Sequence, residues 1–326
     1  MRERIERMRN SPSILRRGIW RLCKFSSRIL PAQKRGEIIM LLKRTIRYRP
    51  RYCRKVSGWG LNEEERSPRI IVSLTSYPGR IKTVHRVIVS LLNQTMKPDK
   101  VVLWLGEDKF PARENELPKK LLALRKYGLT IAWCKDLRSY TKLIPSLKLY
   151  PEDIIVTVDD DNFYSRQLIE RLYASYQLDR KSIHCNKVRR IATNSEGHPL
   201  PYVNWTMNVP PGTKSHSYLL LGYAGVLYPP HVLDADVICE QKFASLAPSA
   251  DDLWFWAMAV NAGTMICLAA QPSEICDYDC CSNQDDALMK QNVDGVMANN
   301  VQFRAIIDAY PQVAAYSILN PSNCRP

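Results

Sequence analysis

From about residue 69 onward, short runs of apolar and β-branched residues alternate with longer amphipathic stretches, and this alternation limits the folds open to the chain. The apolar runs have the length of strands, and the amphipathic stretches have the period of helices. The pattern predicts strands within 69–80, 99–106, 129–134 and 153–158, and helices within 82–95, 117–128 and 141–150. Strands that alternate with helices at this spacing form a mostly parallel sheet with helices on both faces. The predicted fold class is therefore α/β, with a Rossmann-type mixed sheet.

Polar residues collect where the predicted strands end. In open sheets of this kind, ligands bind beyond the carboxyl ends of the strands. The residues in such positions are Ser73, Thr75, Tyr77, Arg80, Asp136 and Asp159–Asp161. We expect one crevice to collect these side chains and to bind a ligand.

The fourth predicted strand ends in three consecutive acids, Asp159, Asp160 and Asp161. Adjacent carboxylates repel one another and are costly to desolvate, and a shared divalent cation relieves that repulsion. Mg²⁺ typically binds one or two protein carboxylates and completes its coordination with water and phosphate oxygens. A cation held in this way can neutralise a diphosphate leaving group, and Arg80 and Lys142 would add charge-assisted bonds to phosphate. The alternative is a solvated acidic turn before the next helix.

The formal net charge of +15 lies entirely in the first 55 residues. That segment contains 18 Lys and Arg residues and three acids, whereas the rest of the chain holds 29 basic and 29 acidic residues. The balanced remainder offers no second basic surface for a nucleic-acid-binding stripe, which argues against a nucleic-acid partner. We divide the chain into a basic arm (1–66) and a catalytic domain (67–326), whose halves are 67–165 and 166–326.

The arm has the pattern of a basic amphipathic helix. Ser11 and Pro12 are a typical helix start, and Pro31 ends the run. No run reaches the roughly 18 apolar residues of a transmembrane helix, and no uncharged signal-peptide core is present. The pattern favours a helix on an anionic membrane surface, where each basic residue contributes about 1 kcal/mol. We therefore expect peripheral membrane attachment through residues 11–50 in the cytoplasm; the alternative is an arm packed on its own catalytic domain.

The ten cysteines form no paired framework. Cys276, Cys280 and Cys281 are the only cluster, and they lack the matching second pair of a structural zinc site. Free thiols in a reducing compartment are expected.

Two glycines mark a special backbone position in the second half of the chain. Gly222 and Gly225, in "GYAGVLYPP", indicate a backbone that approaches another group closely. The alternative is a bent strand near the sheet edge, ended by Pro229-Pro230.

Five segments in this order resemble the bacterial GT-A-fold glycosyltransferases that build surface polysaccharides of the capsule or O-antigen type. They are "SLTSYPGRI", "KPDKVVLWL", "SYTKLIPSLKLYPEDIIVTVDDDN", "GYAGVLYPP" and "ADDLWFWAM". The resemblance covers about residues 69–300 and leaves the arm outside. It implies a GT-A-like fold and transfer of a sugar from a nucleotide-sugar, UDP being the expected nucleotide, to a saccharide or lipid-linked saccharide.

On the donor side, the resemblance makes the aspartates a DxD motif that binds a divalent metal, Mn²⁺ or Mg²⁺, and the diphosphate. Asp159 and Asp161 would bind the metal, with Asp160 beside them. The nucleotide-sugar contacts that the resemblance implies are Thr75, Tyr77, Arg80 and Lys142, and the position of Asp136 at a strand end adds it to the expected contacts. Many GT-A enzymes add a later His as a metal ligand, and this chain has no His after His231. The metal would then rest on the two aspartates, diphosphate and water, or on a late acid such as Asp285 or Asp286.

On the acceptor side, Asp251 and Asp252 begin a predicted helix, with Ser249 as its expected cap. In inverting GT-A enzymes a carboxylate at a similar point removes the proton from the acceptor hydroxyl. The resemblance assigns that role to Asp252, while Asp251 would bind acceptor or orient its neighbour. Acids in a first helical turn are also stabilised by the helix dipole without any function.

Two aromatic residues follow on the same predicted helix. Trp254 and Trp256 would stack on sugars or, as we favour, pack in the core.

Two other functional classes stay open at this point. A haloacid-dehalogenase-like phosphotransferase would use Asp159 as nucleophile and Asp161 as general acid. That motif normally continues with Thr or Val where Phe163 stands, and it follows the first strand of its domain. A non-enzymatic membrane adaptor on the same fold would not need both carboxylate groups.

Overall fold

The computed structural model describes residues 55–273, 275–277 and 298–317. The predicted amphipathic helix and the membrane contact of residues 11–50 lie outside the described residues. So do the late acids Asp285 and Asp286, and two of the clustered cysteines, Cys280 and Cys281.

The described chain alternates strands and helices as far as residue 190 and is more irregular beyond it. The strands are β1 (Ile70–Thr75), β2 (Lys100–Gly106), β3 (Leu129–Cys134), β4 (Ile154–Thr157), β5 (Asn162–Tyr164), β6 (Ile183–Cys185), β7 (Val188–Arg190), β8 (Lys214–Ser215), β9 (Tyr218–Leu220), β10 (Val226–Tyr228), β11 (Ile266–Leu268) and β12 (Ile275–Asp277). The helices are α1 (His85–Leu92), α2 (Lys119–Leu122), α3 (Ile144–Leu149), α4 (Leu168–Leu178), α5 (Glu240–Leu246), α6 (Asp251–Asn261), α7 (Ala298–Ala309) and α8 (Pro311–Ser317).

Eight strands form one mixed sheet in the order β3-β2-β1-β4-β10-β6-β11-β8. β1 pairs in parallel with β2 and β4, β2 with β3, and β6 with β11. β10 runs antiparallel between β4 and β6, and β8 runs antiparallel to β11. Two short ribbons, β5 with β12 and β7 with β9, lie outside the sheet. The predicted GT-A-like fold class, a mostly parallel Rossmann-type sheet, is confirmed.

Both faces of the sheet are buried under helices, because the strands are apolar on both sides. On one face, Ile70, Val72 and Leu74 of β1 belong to a core cluster with residues of α1 and α4. On the other face, Ile71 and its neighbours in β2 and β4 pack with α3 and α6. Near-continuous apolar runs are expected for strands covered on both sides.

The helix predicted over 117–128 is broken into α2 and a 3-10 turn at Arg125–Tyr127. The Gly60 N–H donates to the Tyr127 carbonyl at 3.0 Å, so the chain before β1 holds the end of the 3-10 turn. Gly128 then ends the turn with φ +105°, a left-handed conformation that favours glycine.

The "GYAGVLYPP" segment differs from the edge strand that we weighed. Gly222–Ala224 forms a 3-10 turn, and only Val226–Tyr228 is a strand. That strand is β10, which lies in the middle of the sheet. The edge-strand alternative is therefore wrong, and the turn preceding β10 meets the carboxyl end of β4.

The helices of the described residues are short, and the cysteines described there with their side chains are unpaired. The longest helix there, α7, has 12 residues, and no described helix combines the length and apolar character of a bilayer span. The cysteines described with their side chains, Cys134, Cys185, Cys239 and Cys267, are free thiols.

Candidate active site

The three aspartates after β4 do not share one environment. Asp160 is buried, and it accepts hydrogen bonds from the Ser76 hydroxyl at 2.6 Å and the Arg80 guanidinium at 2.7 Å. Asp159 and Asp161 are 30% and 33% exposed. The outer two acids therefore offer oxygens to a ligand, while the middle one anchors the turn to the segment after β1.

Arg80 holds two of these acids together. It lies 2.7 Å from Asp160 and 2.9 Å from Asp161, and its guanidinium also lies over the Tyr77 ring at 5.6 Å from the centroid. Burial lowers the pKa of Arg80, but the two carboxylates outweigh it and the pKa is raised above its ordinary value. Arg80 is therefore a permanent cation of the site.

Asp161 nevertheless keeps an unrelieved charge. Burial and the neighbouring Asp159 raise the pKa of Asp161 to about 6, against the opposing effect of Arg80. A carboxylate in this state is stabilised by any added cation.

Lys142 lies between two groups of acids that are far apart in sequence. Its ammonium is 2.9 Å from Asp159 and 3.0 Å from Asp251, and its side chain is 6% exposed. Burial lowers the pKa of Lys142, but the surrounding carboxylates reverse this and hold it well above its ordinary value. The backbone of Lys142 is held in place as well, because the Ser73 hydroxyl donates to the Lys142 carbonyl at 2.6 Å.

Asp252 lies in the first turn of α6, and its two carboxylate oxygens differ in their hydrogen bonding. Its Oδ2 accepts the Gly222 N–H at 3.0 Å, whereas its buried Oδ1 has no hydrogen-bond partner among the described residues. Burial and the adjacent Asp251 raise the pKa of Asp252 to about 7, and Lys142 and the Gly222 N–H oppose the rise. This carboxyl group can accept or release a proton near neutral pH.

Gly222 is required by this arrangement. A Cβ at position 222 would lie 2.6 Å from Asp252 Oδ1 and 2.7 Å from Lys142 Nζ. Both distances are too short for contact, so any side chain would displace two functional groups. The close approach indicated by the sequence is present, and its partners are catalytic candidates.

Tyr164 ties the two halves of the site together. Its hydroxyl accepts the Asp159 N–H at 2.8 Å and donates to the Tyr223 carbonyl at 2.9 Å. The turn after β4 and the turn before β10 are therefore joined by one buried side chain.

The remaining predicted contacts lie along the same edge of the sheet. The Thr75 hydroxyl, at the end of β1, donates to the Trp104 carbonyl at 3.0 Å. Asp136, just after β3, accepts the Arg138 N–H at 2.8 Å and lies 3.7 Å from Lys109. The structure brings Arg80, Lys142 and the two acid groups into contact, and Asp136 stands apart with its own partners.

The sequence predicts a core position for Trp254 and Trp256 and a helix-capping role for Ser249. Trp254 and Trp256 are fully buried and donate to the carbonyls of Val237 and His216, so their expected core position is confirmed. Ser249 does not cap α6. Its hydroxyl accepts a hydrogen bond from Gln302 in α7 at 3.0 Å, and a distant contact has replaced the local one.

Sequence reasoning missed Ser76 and Tyr164, which anchor Asp160 and Asp159. Ser76 lies inside the segment "SLTSYPGRI", and Tyr164 lies two residues beyond "DDDN". Their partners come from other elements, so only the sequence position could have drawn attention to them.

The donor set fits a divalent cation of the kind that the resemblance implies. The described residues contain no group of three or more Asp, Glu, His or Cys side chains arranged to enclose a metal. Asp159 and Asp161 offer two partly exposed carboxylates, which matches Mg²⁺ and similar ions that keep several positions for water and phosphate. Burial and the neighbouring Asp159 raise the pKa of Asp161, and a bound cation would stabilise its ionised form.

The comparisons with known proteins add little to this geometry. No protein-family model matches the sequence, and no curated protein matches it. Among solved structures, the crystal structure of residues 1–349 of S. aureus TarS aligns with a TM-score of 0.43 and 11% identity. The alignment covers 76% of this chain and 74% of that one.

Proposed function

We propose that the protein is a metal-dependent glycosyltransferase that moves a sugar from a nucleotide-sugar, preferably a UDP-sugar, to a saccharide or lipid-linked saccharide. The observation that carries this proposal is the buried Asp252 Oδ1, which has no hydrogen-bond partner among the described residues. It belongs to a site whose other acid group suits a metal and a diphosphate. An inverting displacement at a sugar carbon requires a base for the attacking hydroxyl and, across the sugar carbon from that hydroxyl, a site for the leaving group.

On the donor side, Asp159 and Asp161 would hold the metal. When bound, the metal supplies positive charge to the diphosphate leaving group. Arg80 keeps Asp160 in place and limits the repulsion around Asp161. Lys142 keeps Asp159 in place from the opposite side.

On the acceptor side, Asp252 would take the proton of the attacking hydroxyl. The Gly222 N–H fixes the carboxyl group through Oδ2, and Oδ1 has no hydrogen-bond partner among the described residues. Asp251 pairs with Lys142 and so serves to position the base and its surroundings. A base with a pKa of about 7 is matched to neutral pH, because it is ionised when needed and still binds a proton well.

The first prediction concerns the metal. Asp161→Asn removes one carboxylate and keeps its shape, so the fold should persist while Mn²⁺-dependent binding of UDP weakens by about tenfold or more. Thermal shift with UDP and GDP, with and without Mn²⁺, measures the effect. Asp179→Asn is the matched control, because Asp179 pairs with Lys214 and has no contact with this site. Nucleotide binding and sugar transfer that persist unchanged in EDTA would contradict the metal assignment.

The second prediction concerns the base. Asp252→Asn should lower kcat by about 10²–10⁴ and leave nucleotide affinity nearly unchanged. In the wild type kcat should fall as the pH drops below about 7, because protonation of Asp252 removes the base. The variant should lack this decline.

Asp251→Asn is the comparison for that experiment. If it abolishes turnover while Asp252→Asn is harmless, the two roles are exchanged. If both variants keep wild-type turnover, the acids serve only the start of α6.

The basic arm completes the proposal. An acceptor linked to lipid stays at the bilayer, so an enzyme that extends it must work there. We propose that residues 11–50 attach the protein peripherally to the cytoplasmic face of the membrane, each basic residue near the surface contributing about 1 kcal/mol.

The third prediction tests this arm. The full chain should sediment with anionic phosphatidylglycerol vesicles at low salt and be released at high salt, where the Debye length falls below about 10 Å. A chain beginning at Lys55, which keeps the buried Val56, should stay in the supernatant and still bind nucleotide. Equal sedimentation of both chains would refute the membrane attachment.

A further inference from the structure

Two cation–aromatic pairs lie on the acceptor side of the site. The Lys187 ammonium is 5.2 Å from the centroid of the Tyr223 ring and 3.4 Å from its hydroxyl. The Arg189 guanidinium is 4.6 Å from the centroid of the Tyr202 ring and donates to the Tyr202 carbonyl at 3.2 Å. Lys187 and Arg189 are two residues apart along an extended segment, so their side chains leave the same face about 7 Å apart.

Backbone contacts connect these pairs to the proposed base. The Lys187 carbonyl accepts the Leu221 N–H at 3.3 Å, and the next residue, Gly222, donates to Asp252. Tyr223 follows directly. Tyr202 also lies within electrostatic reach of the proposed base. Burial raises the pKa of Tyr202, Arg189 opposes the rise, and the negative charge of Asp252 adds to it.

The two cations differ from the other cations of the site. Arg80 and Lys142 each contact two carboxylates. Lys187 and Arg189 are half-buried, yet neither forms an ion pair with any residue that the structure describes. The buried Nε of Arg189 has no hydrogen-bond partner within the described part of the chain.

A half-buried cation without an acidic partner among the described residues can pair with an anion that a ligand supplies. Arg and Lys side by side suit a phosphate or a carboxylate, since the guanidinium forms paired hydrogen bonds and the ammonium adds a point charge. The Tyr rings hold the cations in place and present flat faces of the kind that stack on sugars. The position beside Asp252 assigns this surface to the acceptor.

We propose that Lys187 and Arg189 bind an anionic group of the acceptor, so that the acceptor is a saccharide bearing a phosphate or carboxylate close to the reacting hydroxyl. The inference rests on the proposed function for its role in transfer. The binding surface itself does not depend on that function.

Direct binding without a nucleotide-sugar tests the proposal. The probes are mannotetraose, the same tetrasaccharide with one phosphate monoester, and tetragalacturonate, with binding measured by calorimetry at low salt. At least one anionic probe should bind about tenfold more tightly than mannotetraose, and added salt should weaken that preference. The comparison of the phosphate and carboxylate probes identifies the anion.

Variants then locate the binding. Lys187→Met and Arg189→Gln should each remove about tenfold of the anion's affinity and leave mannotetraose binding unchanged. Lys126→Met and Arg180→Gln are controls, because these cations lie over Tyr127 and Tyr176 elsewhere, at 5.1 and 5.9 Å from the ring centroids. Lys187→Met loses the contact with the Tyr223 ring and one long contact to its hydroxyl, so its fold should persist even if Arg189→Gln is unstable.

The outcomes separate this proposal from the proposed function. Equal binding of all three probes, absence of anion binding, or anion binding that Lys187→Met leaves unchanged would overturn the anionic acceptor. Nucleotide binding with Mn²⁺ is measured in parallel on the same variants and should not change. A preserved anion preference in a protein that shows no nucleotide-sugar turnover would keep the binding surface and reject the transferase.

Discussion

The ion pairs of Lys142 with Asp159 and Asp251 join the two halves of the site, and the other functional groups are arranged around them. The sheet makes this contact possible. β10 runs antiparallel to β4, with Val226 opposite Thr157, so the end of β4 meets the beginning of β10. The turn that carries Gly222 therefore lies beside the aspartates. Asp252, in the first turn of α6, accepts a hydrogen bond from that turn. If β10 instead ran parallel to β4, the beginning of β10 would lie beside the beginning of β4, away from the aspartates.

The site holds more negative charge than its own cations neutralise. Five carboxylates, Asp159, Asp160, Asp161, Asp251 and Asp252, surround two cations, Arg80 and Lys142. The excess accounts for the pKa values of about 6 and about 7 at Asp161 and Asp252, which burial and the neighbouring acids raise together. Such crowding lowers the stability of the fold, and a protein retains it where the charge is used. Here the excess negative charge at Asp161 suits a metal ion, and the excess negative charge at Asp252 suits a proton.

Local pattern was enough to predict the strands of the first half and their polar ends, because β-branched runs followed by acids are visible in short windows of sequence. It failed where the decisive partner is distant. Ser249 is the predicted cap of α6, but its hydroxyl accepts a hydrogen bond from Gln302 in α7 instead. The sequence also placed Lys142 only near phosphate, since its link to Asp251 spans two elements. Among the described residues no acid lies within ion-pair distance of Lys187 or Arg189, and this could not be predicted because it depends on the positions of distant acids.

Lys142 holds two otherwise repelling acid groups together, and the free energy of unfolding tests this role. Lys142→Met should lower that free energy by about 3 kcal/mol, because it leaves buried carboxylates without a cation. Lys135→Met, which breaks the exposed pair with Glu240, should cost less than about 1 kcal/mol. Adding Asp251→Asn to Lys142→Met should restore part of the loss, since one unpaired acid is removed. A Lys142→Met variant as stable as Lys135→Met, or a double variant less stable than Lys142→Met alone, would contradict the account.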